Sequence, residues 1–152
     1  MESHLSIKYE PEAAHAADLQ AFFEASGKGH LPGLRSAAKR LGAEATAQLE
    51  ELLDDTVLSG YLTQGPATTP ATGTELHFTA GSDGLDFLVV LLNLIGPYSK
   101  TVHATWKHDE EPPTGGEYPI QLYWRNGRVE NTAGDFIECA DDVWSTFTDQ
   151  SE

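Results

Sequence analysis

The sequence predicts an α+β fold: a helical N-terminal layer packed with a ferredoxin-like sheet, mixed or antiparallel, in the C-terminal half. Three observations lead there. Apolar residues recur at helical spacing between residues 16 and 53, then alternate strictly in several short runs after residue 75. Residues 85–95 are apolar nearly all round a helix that is too short to cross a bilayer, so that helix needs cover on two sides. Between these patterns, residues 64–74 are crowded with Gly, Pro and Thr. A chain of 152 residues has room for one domain, in which residues 1–63 form a helical segment, 64–74 a linker and 75–152 an α+β segment.

In residues 4–9, Leu5, Ile7 and Tyr9 fall on one side, the mark of a half-buried strand. Pro11 suits the first position of a following helix. That helix has Ala16, Leu19, Phe22 and Phe23 on its stripe, Gly27 as its stop, and residues 27–33 as the loop beyond. A second helical stretch, about 34–55, carries one stripe at Leu34, Ala37, Ala38 and Leu41. Its next stripe is Ala45, Leu49, Leu52 and Leu53, with Gly42 placed to split the two. Glu44, Gln48, Glu51 and Asp55 line the opposite side as an acidic face, and Asp54-Asp55 end the helix because acids there oppose its dipole.

Past the linker, residues 75–80 alternate as a strand, and Ser82 or Asp83 caps the apolar helix that Gly96-Pro97 closes. The cover for that helix is the sheet on one side and, on the other, the N-terminal helices or a second copy of the chain. Residues 102–108 and 119–125 are two more strands, joined by an acidic, turn-rich loop. Asn126-Gly127 is a two-residue hairpin signal that returns residues 128–132 as a further strand. An extended piece at Phe136-Ile137 and a last helix, capped near Asp141 and carrying Val143, Trp144 and Phe147, complete the chain. A right-handed crossover through the apolar helix makes the strands at Leu76 and Val102 parallel.

Several features of the second half follow one another: an apolar helix ending before Pro97, a strand holding Trp106, and an acid-rich turn at 109–111 with Gly115-Gly116. Tyr123 before Asn126-Gly127 completes the series. Together they resemble the small YubB-type ferredoxin-like domains of plasmid and phage proteins. The resemblance implies the fold and brings no catalytic signature with it.

Nine Lys+Arg against 24 Asp+Glu leave a net charge of −15. After Arg128 no base follows, while Glu130, Asp135, Glu138, Asp141, Asp142, Asp149 and Glu152 do. Such a surface repels phosphate backbones and anionic lipid, so neither direct nucleic-acid binding nor membrane docking is expected. The excess acid reads either as a solubility device or as a steering field for a basic partner. No secretory signal is read in the first residues, so a cytoplasmic protein is expected.

Chemistry-bearing motifs are lacking. The single cysteine, Cys139, excludes a disulfide framework and a multi-cysteine metal cage, and reads as a buried structural residue. No His-Glu-x-x-His, Gly-x-Ser-x-Gly or P-loop pattern is present. Strand alternation gathers Glu75, His77, Thr79, His103, Thr105, Lys107, Gln121, Tyr123 and Arg125 on one sheet face, opposite the apolar helix. His77 and His103 meet on that face if their strands are neighbours, with Glu75 as a third ligand, but the spacing is no specific metal signature.

The expectation is therefore a non-catalytic, cofactor-free and metal-free interaction protein of the immunity or inhibitor type. It covers the basic groove of a toxin or a nucleic-acid-handling enzyme with acidic segments. The residues expected to do this are Glu44, Glu51, Asp55, Asp109, Glu110, Glu111, Glu117, Asp141 and Asp142. The alternative is a small ligand-binding or catalytic domain using His77, His103, Tyr123 and Arg125. Self-association through the apolar helix would make the chain a homodimer.

Overall fold

In the computed structural model of the protein, which describes residues 2–66, 75–109 and 118–145, five strands form one sheet. They are β1 (Ser3–Pro11), β2 (Glu75–Ala80), β3 (Ser99–His108), β4 (Ile120–Arg125) and β5 (Arg128–Glu130). The order is β2-β1-β3-β4-β5, and every neighbouring pair is antiparallel. The fold is α+β, with helices in the N-terminal half and four of the five strands in the C-terminal half.

The alternating pattern of β1 buries Leu5, Ile7 and Tyr9, because this strand is paired on both edges. Leu5 sits between Phe78 and Trp106, and Ile7 between Leu76 and Ala104. This corrects the expected neighbourhood of β2 and β3. The two run in the same direction on either side of the crossover helix, as expected, but β1 lies between them. Local periodicity reveals that a strand has one apolar face; it does not reveal which strands flank it.

The helices are α1 (Ala16–Lys28), α2 (Leu31–Leu41), α3 (Ala43–Asp54), α4 (Thr56–Gln64), α5 (Gly84–Ile95) and α6 (Ala140–Trp144). Several expected boundaries move. Pro11 closes β1 at a register shift instead of opening a helix, and a short 3-10 turn, Ala13–His15, leads into α1. Gly27 lies inside α1, which ends at Gly29 in the left-handed region (φ 62°). Residues 27–33 are a corner and not a loop. The His30 Nδ1 accepts the Gly33 N–H at 3.1 Å and starts α2 at once.

Gly42 separates α2 from α3 as its position suggests. Asp55 does not merely end α3. Its carboxylate accepts the N–H groups of Val57 and Leu58 at 2.9 and 3.0 Å and so caps α4, a helix with too few apolar positions to stand out in the sequence. At the other end Cys139, not Asp141, is the residue before α6, and the Asp142 carboxylate accepts its N–H at 3.3 Å. β5 stops at Glu130 instead of running to residue 132. The expected linker 64–74 has its first three residues described, with Gln64 ending α4, and residues 67–74 lie outside the described residues.

α5 buries nine of its 12 residues, and it touches the sheet through β1, β3, β4 and β5 and the N-terminal layer through α3 and α4. The second cover thus comes from the same chain. Two tyrosines fasten the layers: the Tyr61 hydroxyl donates to Asp83 and accepts the Gly81 N–H at 2.9 Å, and the Tyr98 hydroxyl accepts the Ala45 N–H at 3.1 Å. Among the described residues no helix is long and apolar enough to cross a membrane.

At the end of α5 the chain passes very close to the sheet. A methyl group placed on Gly96 would lie 2.1 Å from Trp124 Cδ2 and 2.5 Å from Cε3. Gly96 has helical backbone angles (φ −55°, ψ −49°) that alanine adopts freely, so Gly96→Ala tests the ring contact alone. Urea unfolding should show a loss of about 1–3 kcal/mol. Unchanged stability would mean that helix and sheet do not meet there.

Candidate functional site

Five carboxylates come together at one place. α3 ends, and α4, α5 and α6 begin, around one acidic depression made of two adjoining hollows of about 280 and 310 Å3. Glu51 comes from α3, Asp55 from the α4 cap, Asp83 and Asp86 from the start of α5, and Glu138 from the approach to α6. The floor is apolar, with Leu58, Val89 and Val90, and the two hollows share Glu51, Val89, Val90 and Glu138. No Lys, Arg or His lines either hollow among the described residues. Phe136, 50% exposed, stands at the outer wall.

The electrostatics follow from this crowding. Partial burial, then the charges of Asp83, Asp141 and Asp55, push the Asp86 carboxyl above its usual value. Burial also raises the Tyr61 phenol, helped by its hydrogen bond to Asp83. Asp83 and Asp55 have structural partners in Tyr61 and in the first N–H groups of α4. Cys139 lines the same depression and is exposed, so its expected burial is corrected: the chain is extended there and turns the residue outward at the start of α6.

Of the acids expected to matter, Glu51 and Asp55 both line the depression, and Asp141 is near enough to act on Asp86. Asp142 is turned onto backbone, accepting the Glu138 N–H at 2.7 Å. Glu44, in the first turn of α3, lines neither hollow. Asp109, just past the end of β3, pairs with His4 Nε2 at 2.7 Å, and that hydrogen bond holds its carboxyl below the usual range. Glu110, Glu111 and Glu117 lie outside the described residues. Asp83 and Asp86 are absent from the expected set, and Glu138 lies within the expected acidic stretch 130–142 without being singled out. Asp83 reads in the sequence only as a cap, although Asp83 and Asp86 stand three apart at a helix start where both fall on one side.

The sheet face away from α5 brings together three of the four alternative site residues. The His103 ring stacks on Tyr123 (centroids 4.6 Å apart, planes 3° apart), and the Arg125 guanidinium sits 4.3 Å from the Tyr123 centroid. His103 Nε2 is 2.8 Å from Gln121 Oε1, which also accepts the Tyr123 hydroxyl at 3.3 Å. Arg125 donates to the Asn131 carbonyl at 2.6 Å and lies 3.3 Å from Glu130. These groups therefore bind one another. His77 is apart from them, since it faces Ser6 of β1, and Lys8 stands between Glu75 and His103. The grouping of His77, His103 and Glu75 around an ion is overturned by that intervening strand. Among the described residues, Glu2, His4 and Asp109 are the metal-ligating side chains that converge, on the exposed surface.

No protein-family model matches the chain, and no curated protein and no solved structure matches it.

The raised Asp86 has a measurable consequence. The folded chain holds that proton more tightly than the unfolded chain does. The resulting stability is full below the ordinary value of 3.8 and is lost as pH rises through the raised one. Asp86→Asn should therefore stabilise the protein at neutral pH by less than about 1 kcal/mol, a gain that disappears near pH 3. Thermal unfolding at the two pH values checks this, and an equal gain at both would contradict the crowding.

Proposed function

We propose that the protein is a non-catalytic interaction module that binds a basic protein partner through the acidic depression between α3, α4, α5 and α6. In this reading it acts in the cytoplasm as an immunity protein or inhibitor does, covering the basic groove of a toxin or a nucleic-acid-handling enzyme. One observation carries the reading. Glu51, Asp55, Asp83, Asp86 and Glu138 arrive from four separate elements on an apolar floor that no described base lines. Like charges held together raise the free energy of the unbound protein, and an incoming Lys or Arg relieves them. A negative field of this kind also speeds the approach of a cationic surface. Partner recognition is then steric and electrostatic, with Phe136 as the exposed apolar contact beside the charges.

A second reading uses the stack of His103, Tyr123 and Arg125 as a ligand surface. The two separate by mutation. Glu51→Gln, Asp86→Asn and Glu138→Gln remove charge without touching a cap or a tyrosine anchor. Combined, they should weaken capture of basic proteins from an extract at least about tenfold and flatten its salt dependence. His103→Ala with Tyr123→Ala should leave capture unchanged. The reverse pattern would reject the acidic reading in favour of the sheet face.

A further inference from the structure

β4 pairs with β3 from Ile120 to Trp124, but with β5 only at Tyr123, Trp124 and Arg125. The connecting turn has positive φ at both Asn126 (58°) and Gly127 (73°), so Arg125 and Arg128 form the hydrogen-bonded pair beside it. By alternation, Tyr123 and Gln121 then turn their main-chain N–H and C=O to the same side as Arg125. For Gln121 that is the side where β5 has already ended.

Past Glu130 the chain turns through residues 131–135 and comes back to β5, where Phe136 bridges Glu130 and the Ile137 N–H bonds the Val129 carbonyl at 2.9 Å. The Asn131 N–H bonds the Asp135 carbonyl at 3.0 Å, and the Gly134 N–H bonds the Asn131 carbonyl at 3.0 Å. Beside Gln121 lies a hollow of about 320 Å3 lined by Ile120, Leu122, Ile137 and Val143 and, from the turn itself, by Asn131, Thr132 and Ala133. Ile137 also lines the acidic depression, so the segment 136–138 is the wall between the two hollows. At the opposite sheet edge β2 borders none of these three hollows.

Resting on the acidic reading above, we propose that the outer edge of β4 at Gln121 receives an extended segment of the basic partner as an added strand. The main chain of that segment pairs with Gln121, and one apolar side chain fills the adjoining hollow. Lys or Arg farther along it crosses the 136–138 wall into the acidic depression. Among the described residues no strand pairs with β4 on the outer side of Gln121, and such an edge calls for an extended chain, the hollow for an apolar side chain, and the neighbouring carboxylates for a cation. A second copy fits poorly. Pairing edge to edge would set the Asp135, Glu138 and Asp141 regions of two chains, each of net charge −15, against one another.

The test titrates the full chain with three synthetic peptides of equal positive charge. One alternates Val and Lys; the second is the same peptide N-methylated at alternate amides; the third has Gly in place of Val. The alternating peptide should bind at least about tenfold more tightly than the other two and slow hydrogen exchange at the Gln121 amide. Equal binding of all three overturns strand addition and leaves the acidic reading standing. Failure of all three at low salt overturns both. A peptide-free chain that sediments as a dimer with the Gln121 amide already protected overturns the partner in favour of a second copy.

Discussion

A helix with apolar residues around nearly its whole circumference has only a narrow stripe to give to water, and α5 is such a helix, with Asp86, Val90 and Asn93 as that stripe. Leu85, Phe87, Leu88, Leu91, Leu92, Leu94 and Ile95 are all buried at once, which requires a layer on either side. The sheet supplies one, through Leu5, Ile7, Leu76, Phe78, Val102, Ala104, Trp106, Ile120 and Leu122, and the N-terminal helices supply the other. Three layers follow from one stretch of sequence. Closeness at the joints follows too: Gly84 lets α5 pass near Ser3, Ala80 and Trp106, and Gly96 lets it end against the Trp124 ring.

This layering also explains where the acids meet. A helix N-terminus favours negative charge, because its first N–H groups lack partners within the helix. Asp55 caps α4, Asp83 precedes α5 with Asp86 in its first turn, and Asp141 and Asp142 lie in the first turn of α6. Each acid thus has a local cause. Their convergence has none in the local chain. It arises because packing on α5 points the starts of α4, α5 and α6 toward one depression, to which α3 adds Glu51. Local stabilisation draws the acids to helix starts, and tertiary packing converts the starts into a field.

The elements that carry the strongest periodicity are legible in the sequence: the alternating strands around Leu5, Phe78, Trp106 and Leu122, the split at Gly42, the apolar helix and the Asn126-Gly127 hairpin. So is the division of the sheet into a buried and a polar face. Element ends are less legible, since Gly27 and Gly29 are equivalent by composition and only the left-handed geometry at Gly29 separates them. α4 escapes notice because Leu58 and Leu62 are its two buried residues. The place of β1 between β2 and β3 is beyond local reading, and with it the true separation of His77 and His103. Glu51 and Asp55 follow from helical spacing, whereas Asp83, Asp86 and Glu138 join them only through contacts between elements far apart in the chain.

The distribution of bases weighs on what the excess acid is for. A charge excess that served solubility alone would leave Lys and Arg mingled with acids over the whole surface. Here five of the nine bases pair with acids elsewhere. Arg35 meets Glu50 and Arg40 meets Asp18 on the outer helices, Lys100 approaches Glu10, and Arg125 and Arg128 enclose Glu130 at the hairpin. The pairs on the outer helices and at Lys100 are exposed and add little to stability, so their placement is no demand of the fold, whereas Glu130 is buried between its two arginines. Arg128 is the largest reason the Glu130 carboxyl is held low, and the Asn126 amide is the next. The depression at the start of α4, α5 and α6 has no such counter-charge among the described residues that line it, and partial burial, then the neighbouring carboxylates, raise the proton affinity of Asp86 there. A cation from outside would fill the same place that Arg125 and Arg128 fill for Glu130. That contrast, between a carboxylate enclosed by two bases and five lined by none, is what favours a binding surface over a merely soluble one.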